Sequence, residues 1–448
     1  MASGTFKKNV GAVRPGVYVN FVSQNNQRIA GATRGVVLVP LAGTDYGPAK
    51  KFIRLTADAP DAARPMLGHS IYDDHPAMLL IREAFKGAST VIAYILTEGK
   101  TAATGAGGGL TATAKYKGSL GNKLTFSVAA NPVDGYDVEV SMGGELLERY
   151  EGVSNASALS GSQYITFTAT GSATLSAVAG VTLVGGTDGT SSNSDTTAFL
   201  DASEGQTFDA MCFPFEDTTL HAALKSKIQY LHNDMGKRVQ AVAPNFDADF
   251  EGIINVTNSY ALGDLELTAA QATAFVAGVT AGASKTTSNT YRVVDGATAI
   301  VGAKTHKQAV MAIQNGELFF SMSEAGNVVI EYDINSMVNI PANRDASYKK
   351  NRIQRVLSEF QKELQLNFPP NKFNNDEDGW EVMEGIGRTI LKRFGPTSEG
   401  GDGAIRNIDY NADFVVNREL SHGDQTYFDV GIQAVDSAEK LYFTVSTR

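Results

Sequence analysis

Ala438–Glu439–Lys440–Leu441–Tyr442–Phe443–Thr444–Val445–Ser446–Thr447–Arg448 closes the 448-residue chain. From Leu441 onward this stretch is aromatic and β-branched, the composition of a strand. Chain ends fray unless something ties them down, so a strand in this position needs a sheet, its own or a neighbour's. Near the other end, Gly16–Val17–Tyr18–Val19–Asn20–Phe21–Val22, opened by Pro15, is a matching strand. Two strand-like ends on one long chain point to a protein that links to copies of itself.

The terminal strand has a sheet immediately upstream. Asp413–Glu419 and Tyr427–Ala434 read as strands joined by the turn Ser421–His422–Gly423–Asp424. Two helices, over 347–366 and 381–394, precede them, and Gly395–Pro396 stops the second. Farther back, Gly35–Val36–Val37–Leu38–Val39–Pro40 is a continuous apolar run, typical of a strand buried on both faces. A helix with Met78, Ile81 and Phe85 on one side follows, then a buried strand over Thr90–Leu96. Phe208–Phe215 and Val239–Pro244 flank a helix whose Leu220, Leu224, Ile228, Leu231 and Met235 form one apolar stripe, a βαβ unit. A further helix opens at Thr268, and Val328–Tyr332 reads as a strand.

Between these parts the pattern changes. Residues 101–109 are Gly, Ala and Thr, and short alternating segments follow at Lys123–Val128, Tyr136–Met142, Tyr164–Thr170 and Val181–Val184. The expected fold is an α/β core domain with an inserted all-β domain, plus a C-terminal α+β domain with extended N- and C-terminal strand arms. The expected boundaries are an arm over 1–32, a discontinuous core over 33–100 and 191–346, the β-rich insertion over 101–190 and the C-terminal domain over 347–448.

Composition narrows the function. A formal net charge of −10 argues against nucleic acid as the main partner, because phosphate binding needs a basic field. The arm is the exception: Lys7, Lys8, Arg14, Arg28 and Arg34 all precede the first acidic residue, Asp45. Cys212 is the single cysteine, so neither an internal disulfide nor a thiolate metal site is expected. The first 20 residues lack the apolar core of a signal peptide, and no apolar run reaches membrane-spanning length.

A catalytic constellation is not legible, and the chain is expected to be neither an enzyme nor a cofactor binder. His69, His75, His221, His232, His306 and His422 show no metal-binding spacing, and His221 and His232 are expected on a helix surface. Gly185–Gly186–Thr187–Asp188–Gly189 lacks the Lys-Ser/Thr of a P-loop and reads as a turn leaving the β insertion. Asn374–Asn375–Asp376–Glu377–Asp378–Gly379 has half of a calcium loop, but Gly385 stands where the closing glutamate belongs; a helix-capping turn is expected. The helix from Ser347 buries Ile353, Val356, Leu357, Phe360 and Leu364. Lys349, Lys350, Arg352, Arg355 and Lys362 lie off that stripe. They read either as a solvated face with Arg355–Glu359 and Glu359–Lys362 pairs or as a cationic ridge for an acidic partner.

The run Gly431–Ile432–Gln433–Ala434–Val435–Asp436–Ser437–Ala438–Glu439–Lys440–Leu441–Tyr442–Phe443–Thr444–Val445 resembles the closing signature of contractile phage tail sheath proteins. Arg14–Pro15–Gly16–Val17–Tyr18–Val19 resembles the family's N-terminal strand, and the 185–189 and 374–379 turns resemble two of its turns. The resemblance implies stacked hexameric rings around an inner tail tube, in a virion tail or a bacteriocin-like particle assembled in the bacterial cytoplasm. It implies arms, Val17, Tyr18, Val19, Asn20, Phe21, Val22 and Leu441, Tyr442, Phe443, Thr444, Val445, that add strands to neighbouring subunits. It makes the insertion an outward decoration and Lys349, Lys350, Arg352 and Arg355 candidate contacts to the tube. Baseplate and tail-terminator proteins are the other implied partners; nucleic acid and membrane are not. A baseplate or fibre component, and less so a hydrolase on the α/β core, are the alternatives.

Overall fold

The computed structural model describes residues 2–4, 16–18, 35–171 and 174–447. The chain divides into two compact units, one containing 40–82 and 92–199, the other 35–39, 83–91 and 200–448. At the N-terminus Ala2–Gly4 pairs in parallel with Gly16–Tyr18. Val19, Asn20, Phe21 and Val22 of the proposed arm lie outside the described residues.

In the first unit, the ends of β1 (Val36–Leu41) and β3 (Thr90–Ile95) stand with β2 (Phe52–Thr56) in the order β1-β3-β2. Helix α1 (Pro76–Phe85) leads to β3. The β-rich part consists of two antiparallel sheets. One runs in the order Glu145–Val153, Tyr136–Met142, Leu124–Ala130, Val178–Thr182; the other Ile165–Ala169, Leu110–Ala114, Thr104–Gly107. Burial alternates along Leu110–Ala114 and Leu124–Val128, the period-two signature of strands with one face on a core. Phe126 and Phe167 meet edge to face in that core at 5.4 Å. Full burial of a ring such as Phe126 contributes roughly 2–3 kcal/mol.

The entry and exit of this part meet. Thr101 bridges Thr187, and the Thr101 hydroxyl donates to the Gly185 carbonyl at 2.5 Å. The Asp188 carboxylate accepts from the Ser119 amide and hydroxyl at 2.6 and 2.7 Å. A Cβ on Gly186 would lie 2.3 Å from the Gly118 carbonyl oxygen, so this crossing admits no side chain.

In the second unit β4 (Ala210–Cys212), β5 (Gln240–Pro244), β6 (Ile253–Val256) and β7 (Glu317–Leu318) give the order β7-β6-β5-β4-β1-β3. The pairs from β1 to β7 through β4, β5 and β6 are parallel. Helix α2 (Thr218–Asn233) connects β4 to β5, capped by Asp217, whose carboxylate accepts from the Thr219 and Leu220 amides. Helix α3 (Ala269–Gly282) starts in a capping box of Thr268 and Gln271 and is buried on nearly all sides. Such burial requires close backbone approach: a Cβ on Gly278 would lie 2.1 Å from the Ala84 carbonyl oxygen.

The C-terminal part is built on α4 (Asn351–Asn367) and α5 (Glu377–Phe394). Asp376 caps α5 by accepting from the Gly379 amide at 2.9 Å, as the capping-turn reading expects. Val356, Phe360, Ile390, Leu391, Phe394 and Phe414 form its core. Two small antiparallel sheets follow, Ile405–Arg406 with Gln433–Ala434 and Phe414–Val416 with Phe428–Val430. The expected terminal strand is not one within a single chain: Leu441–Thr447 pairs with none of the described strands and is exposed along its length. The hairpin strand before it ends at Val430, Gln433–Ala434 pairs with Ile405–Arg406 instead, and beyond Ala434 the described chain forms no further strand.

Candidate functional site

The terminal segment changes character abruptly. The Val435 amide donates to the Ala404 carbonyl at 2.8 Å, which keeps the chain on the body. Arg352 Nη1 donates to Ser437 Oγ at 2.6 Å. Glu439 then turns its carboxylate inward: Oε1 accepts from the Ser288 and Thr290 hydroxyls, both at 2.7 Å, and Oε2 pairs with the Lys350 ammonium. Lys350 Nζ also lies 4.1 Å above the centre of the Tyr332 ring, a cation–π contact. Burial works against the Lys350 charge, but Glu439 and Tyr332 reverse this and raise its pKa above the ordinary lysine value. The Glu439 side chain is 8% exposed. Leu441, Tyr442, Phe443 and Val445 are 66, 90, 83 and 86% exposed.

The basic helix face differs from both sequence readings. Arg355 is buried, and its Nη2 donates to Asp333 Oδ2 at 2.9 Å and to the Thr287 carbonyl at 2.7 Å. Asp333 is fully enclosed and also accepts from the Asn289 amide and Asn351 Nδ2, each at 2.9 Å. Burial raises its pKa, yet Arg355 and these donors prevail and hold the carboxyl below the usual range. Remote partners dominate this face: Glu359 pairs with Lys285 at 3.0 Å, Arg355 with Asp333, and Lys362 with Asp209. Arg352 is buried, which lowers its pKa. Lys350 is spent on Glu439. Of the four candidate tube contacts, the half-buried Lys349 and the buried Arg352 stand in none of the described ion pairs, and Arg352 is held by Ser437 instead.

His221 and His232 are not solvated surface residues of their helix. His221 and His232 of α2 each direct Nε2–H to a carbonyl oxygen, of Phe215 at 2.7 Å and Val239 at 2.6 Å, and pack on Phe246 and Phe250. Burial pushes the His232 pKa down to about 4. In the first unit Asp45, His69 and His75 bring three possible ligand atoms within 4.8 Å of one another. His75 Nδ1, however, accepts from the Ala77 amide at 3.2 Å. A neutral ring then carries its proton on Nε2, which faces Asp45 at 3.8 Å, so that nitrogen offers no lone pair to a metal. Cys212 is buried in β4 beside the Thr273 hydroxyl, and burial pushes its thiol up to about 12, so it is no nucleophile.

Sequence reasoning grouped the terminal strand and the basic helix separately; the structure joins them through Glu439. Ser288 and Thr290, which complete that site, lie about 150 positions upstream with no local motif to mark them.

Three family models match in succession: the phage tail sheath protein beta-sandwich domain over 96–188, the phage tail sheath protein central domain over 189–336 and the phage tail sheath C-terminal domain over 343–448. The chain is 34% identical to the phage-like element PBSX protein XkdK of Bacillus subtilis (strain 168) over 475 residues, covering 99% of each. A sheath tail protein of Desulfitobacterium hafniense has a similar structure, with TM-score 0.79, 34% identity and coverage of 96% of this chain and 99% of that one. The helical sheath of the anti-feeding prophage in its contracted state shares the fold at 13% identity, with TM-score 0.53 and coverage of 98 and 100%. With its beta-sandwich, central and C-terminal domains matched in order and a relative similar over nearly the whole chain, the protein belongs to the phage tail sheath family.

Proposed function

We propose that this protein is the subunit of a contractile sheath, polymerising as stacked six-fold rings around an inner tail tube and shortening to drive that tube through a target envelope. One observation carries the reading: Leu441–Val445 has a strand's sequence, lies exposed and pairs with none of the described strands of its own chain. A donated strand supplies main-chain hydrogen bonds and gives a sheet edge a specific occupant. Leu441, Tyr442, Phe443, Thr444 and Val445 would join a neighbour's C-terminal sheet, and Val17–Val22 would do the same from the other end. Subunits held by such arms can rotate without separating, and interfaces that grow on contraction would supply the work. No nucleotide chemistry is needed. Lys349 is the basic residue most available for the tube, since Lys350, Arg352 and Arg355 already have partners within the chain. The same reading gives the particle its other partners, baseplate and terminator, and assembly in the host cytoplasm.

Negative-stain microscopy of the purified full-length protein and of a variant lacking 441–448 tests this reading. Hollow cylinders are expected from the first, and folded but unassembled subunits from the second. Long cylinders from the truncated protein would show that the terminal strand is not the link.

A further inference from the structure

We infer that Glu439 is the fixed root of the terminal strand. Its carboxylate, plugged into a site made by Ser288, Thr290 and Lys350, sets the point and direction at which Leu441–Thr447 leaves the body. What the fixed exit is for rests on the strand-donation reading above; the clamp itself does not.

The boundary between held and free chain is two residues wide. Glu439 is almost enclosed, whereas Leu441 and its successors stand in solvent. A carboxylate gives up water so completely only where other groups replace it. Here two hydroxyls take one oxygen and an ammonium takes the other. The receptor is shaped by the body, independently of the tail. The Ser288 hydroxyl lies 3.0 Å from that of Thr290, and Thr290 Oγ1 accepts the Asp333 amide at 3.0 Å. Between them the Asn289 amide donates to the buried Asp333 carboxylate. The loop is thus tied to the Asp333–Arg355 pair before Glu439 arrives, so little ordering is left to binding. Asp436, 3.7 Å from Lys350 and 41% exposed, is a rim contact by comparison.

A fixed root matters because strand register is unforgiving. Side chains alternate along a strand, so a slip of one residue moves every side chain to the other face. Counted from a clamped Glu439, Leu441, Phe443 and Val445 share one face while Tyr442 and Thr444 share the other. The clamp therefore selects which set meets the acceptor sheet. It also limits reach: six residues from Glu439 to Val445 extend at most about 20 Å, so the partner of Val445 must lie within that distance of the root.

Trypsin tests the clamp on unassembled full-length subunits, because cleavage after Lys440 releases 441–448 and is read by intact mass. The protease must extend the chain on both sides of the bond, which a seated Glu439 resists. Cleavage of Glu439→Gln should be faster by about tenfold, since cutting follows the population of the released segment. Lys350→Met should behave likewise, and Asp436→Asn should stay within about twofold of the parent. Thermal melts confirm that each variant is folded; Ser288→Ala replaces Lys350→Met if the latter is not. Parent-like cleavage of folded Glu439→Gln overturns the clamp, whatever polymers form. If Glu439→Gln frees the segment while the 441–448 deletion still polymerises, the clamp stands and the strand-linkage reading falls.

Discussion

The first turns of α4 and the turns that follow bury opposite chemistries. Asn351, Arg352, Gln354 and Arg355 enter a polar interior, whereas Val356 and Phe360 enter an apolar one. In the polar half each of these side chains has at least one specific partner. Asn351 accepts from Gln240 Nε2 at 2.9 Å while donating to Asp333, and Gln354 donates to the Tyr348 carbonyl at 2.9 Å. In the apolar half contact is less particular, for example Phe360 against Phe394 edge to face at 5.4 Å. Polar burial gives a unique arrangement but fails badly when one partner is lost; apolar burial degrades in proportion to the volume removed.

The comparison can be broken. Arg355→Met leaves Asp333 enclosed without its counter-charge and should destabilise by about 3–5 kcal/mol, measured as a shift in urea midpoint. Adding Asp333→Asn should recover part of that loss; a single variant within about 1 kcal/mol of the parent would show that the polar half is not charge-critical. Phe360→Ala should cost about 3 kcal/mol, and the second-site change Asp333→Asn should not relieve it.

Acid sharpens the contrast. His232 borders the polar half of α4, in a cavity also lined by Gln354 and Arg355. Burial lowers its folded pKa to about 4 from an ordinary 6.5. Between these values the unfolded chain binds the proton more readily, so stability falls as pH drops through that window, by roughly 2 kcal/mol at pH 5. Asp333 has a depressed pKa, so its contribution persists above the ordinary carboxyl value and is lost only at still lower pH. Urea midpoints at pH 7 and pH 5 should therefore diverge for the parent and converge for a folded His232→Gln variant.

Much of the framework was legible because it is local. The apolar run at Gly35–Pro40 became β1, buried from Val37 to Leu41, and the stripe Leu220, Leu224, Ile228, Leu231 became the inner face of α2. Thr268 and Asp376 were readable as caps because capping partners sit within three residues. The basic helix was misread because its partners are remote: Asp333 lies 22 residues before Arg355, and Glu439 lies 89 after Lys350. Lys and Arg at a helix start look solvated until tertiary packing supplies a buried anion. Asp45, His69 and His75 escaped for the same reason, since their spacing follows no helical period. Leu441–Thr447 is strand-like in sequence, yet a strand is a property of a pair, and among the described residues this segment pairs with no strand.

The bridge between Thr101 and Thr187 has an architectural consequence. The chain leaves its first compact unit's sheet and returns through two points that touch, so the intervening sandwich demands no particular span from its host. Closing a loop of that length adds only a slowly growing entropic cost, and the inserted strands bury a core of their own that Tyr46 of the host joins. The junction is therefore a socket: the ends of the insertion stay together whatever the length of chain between them.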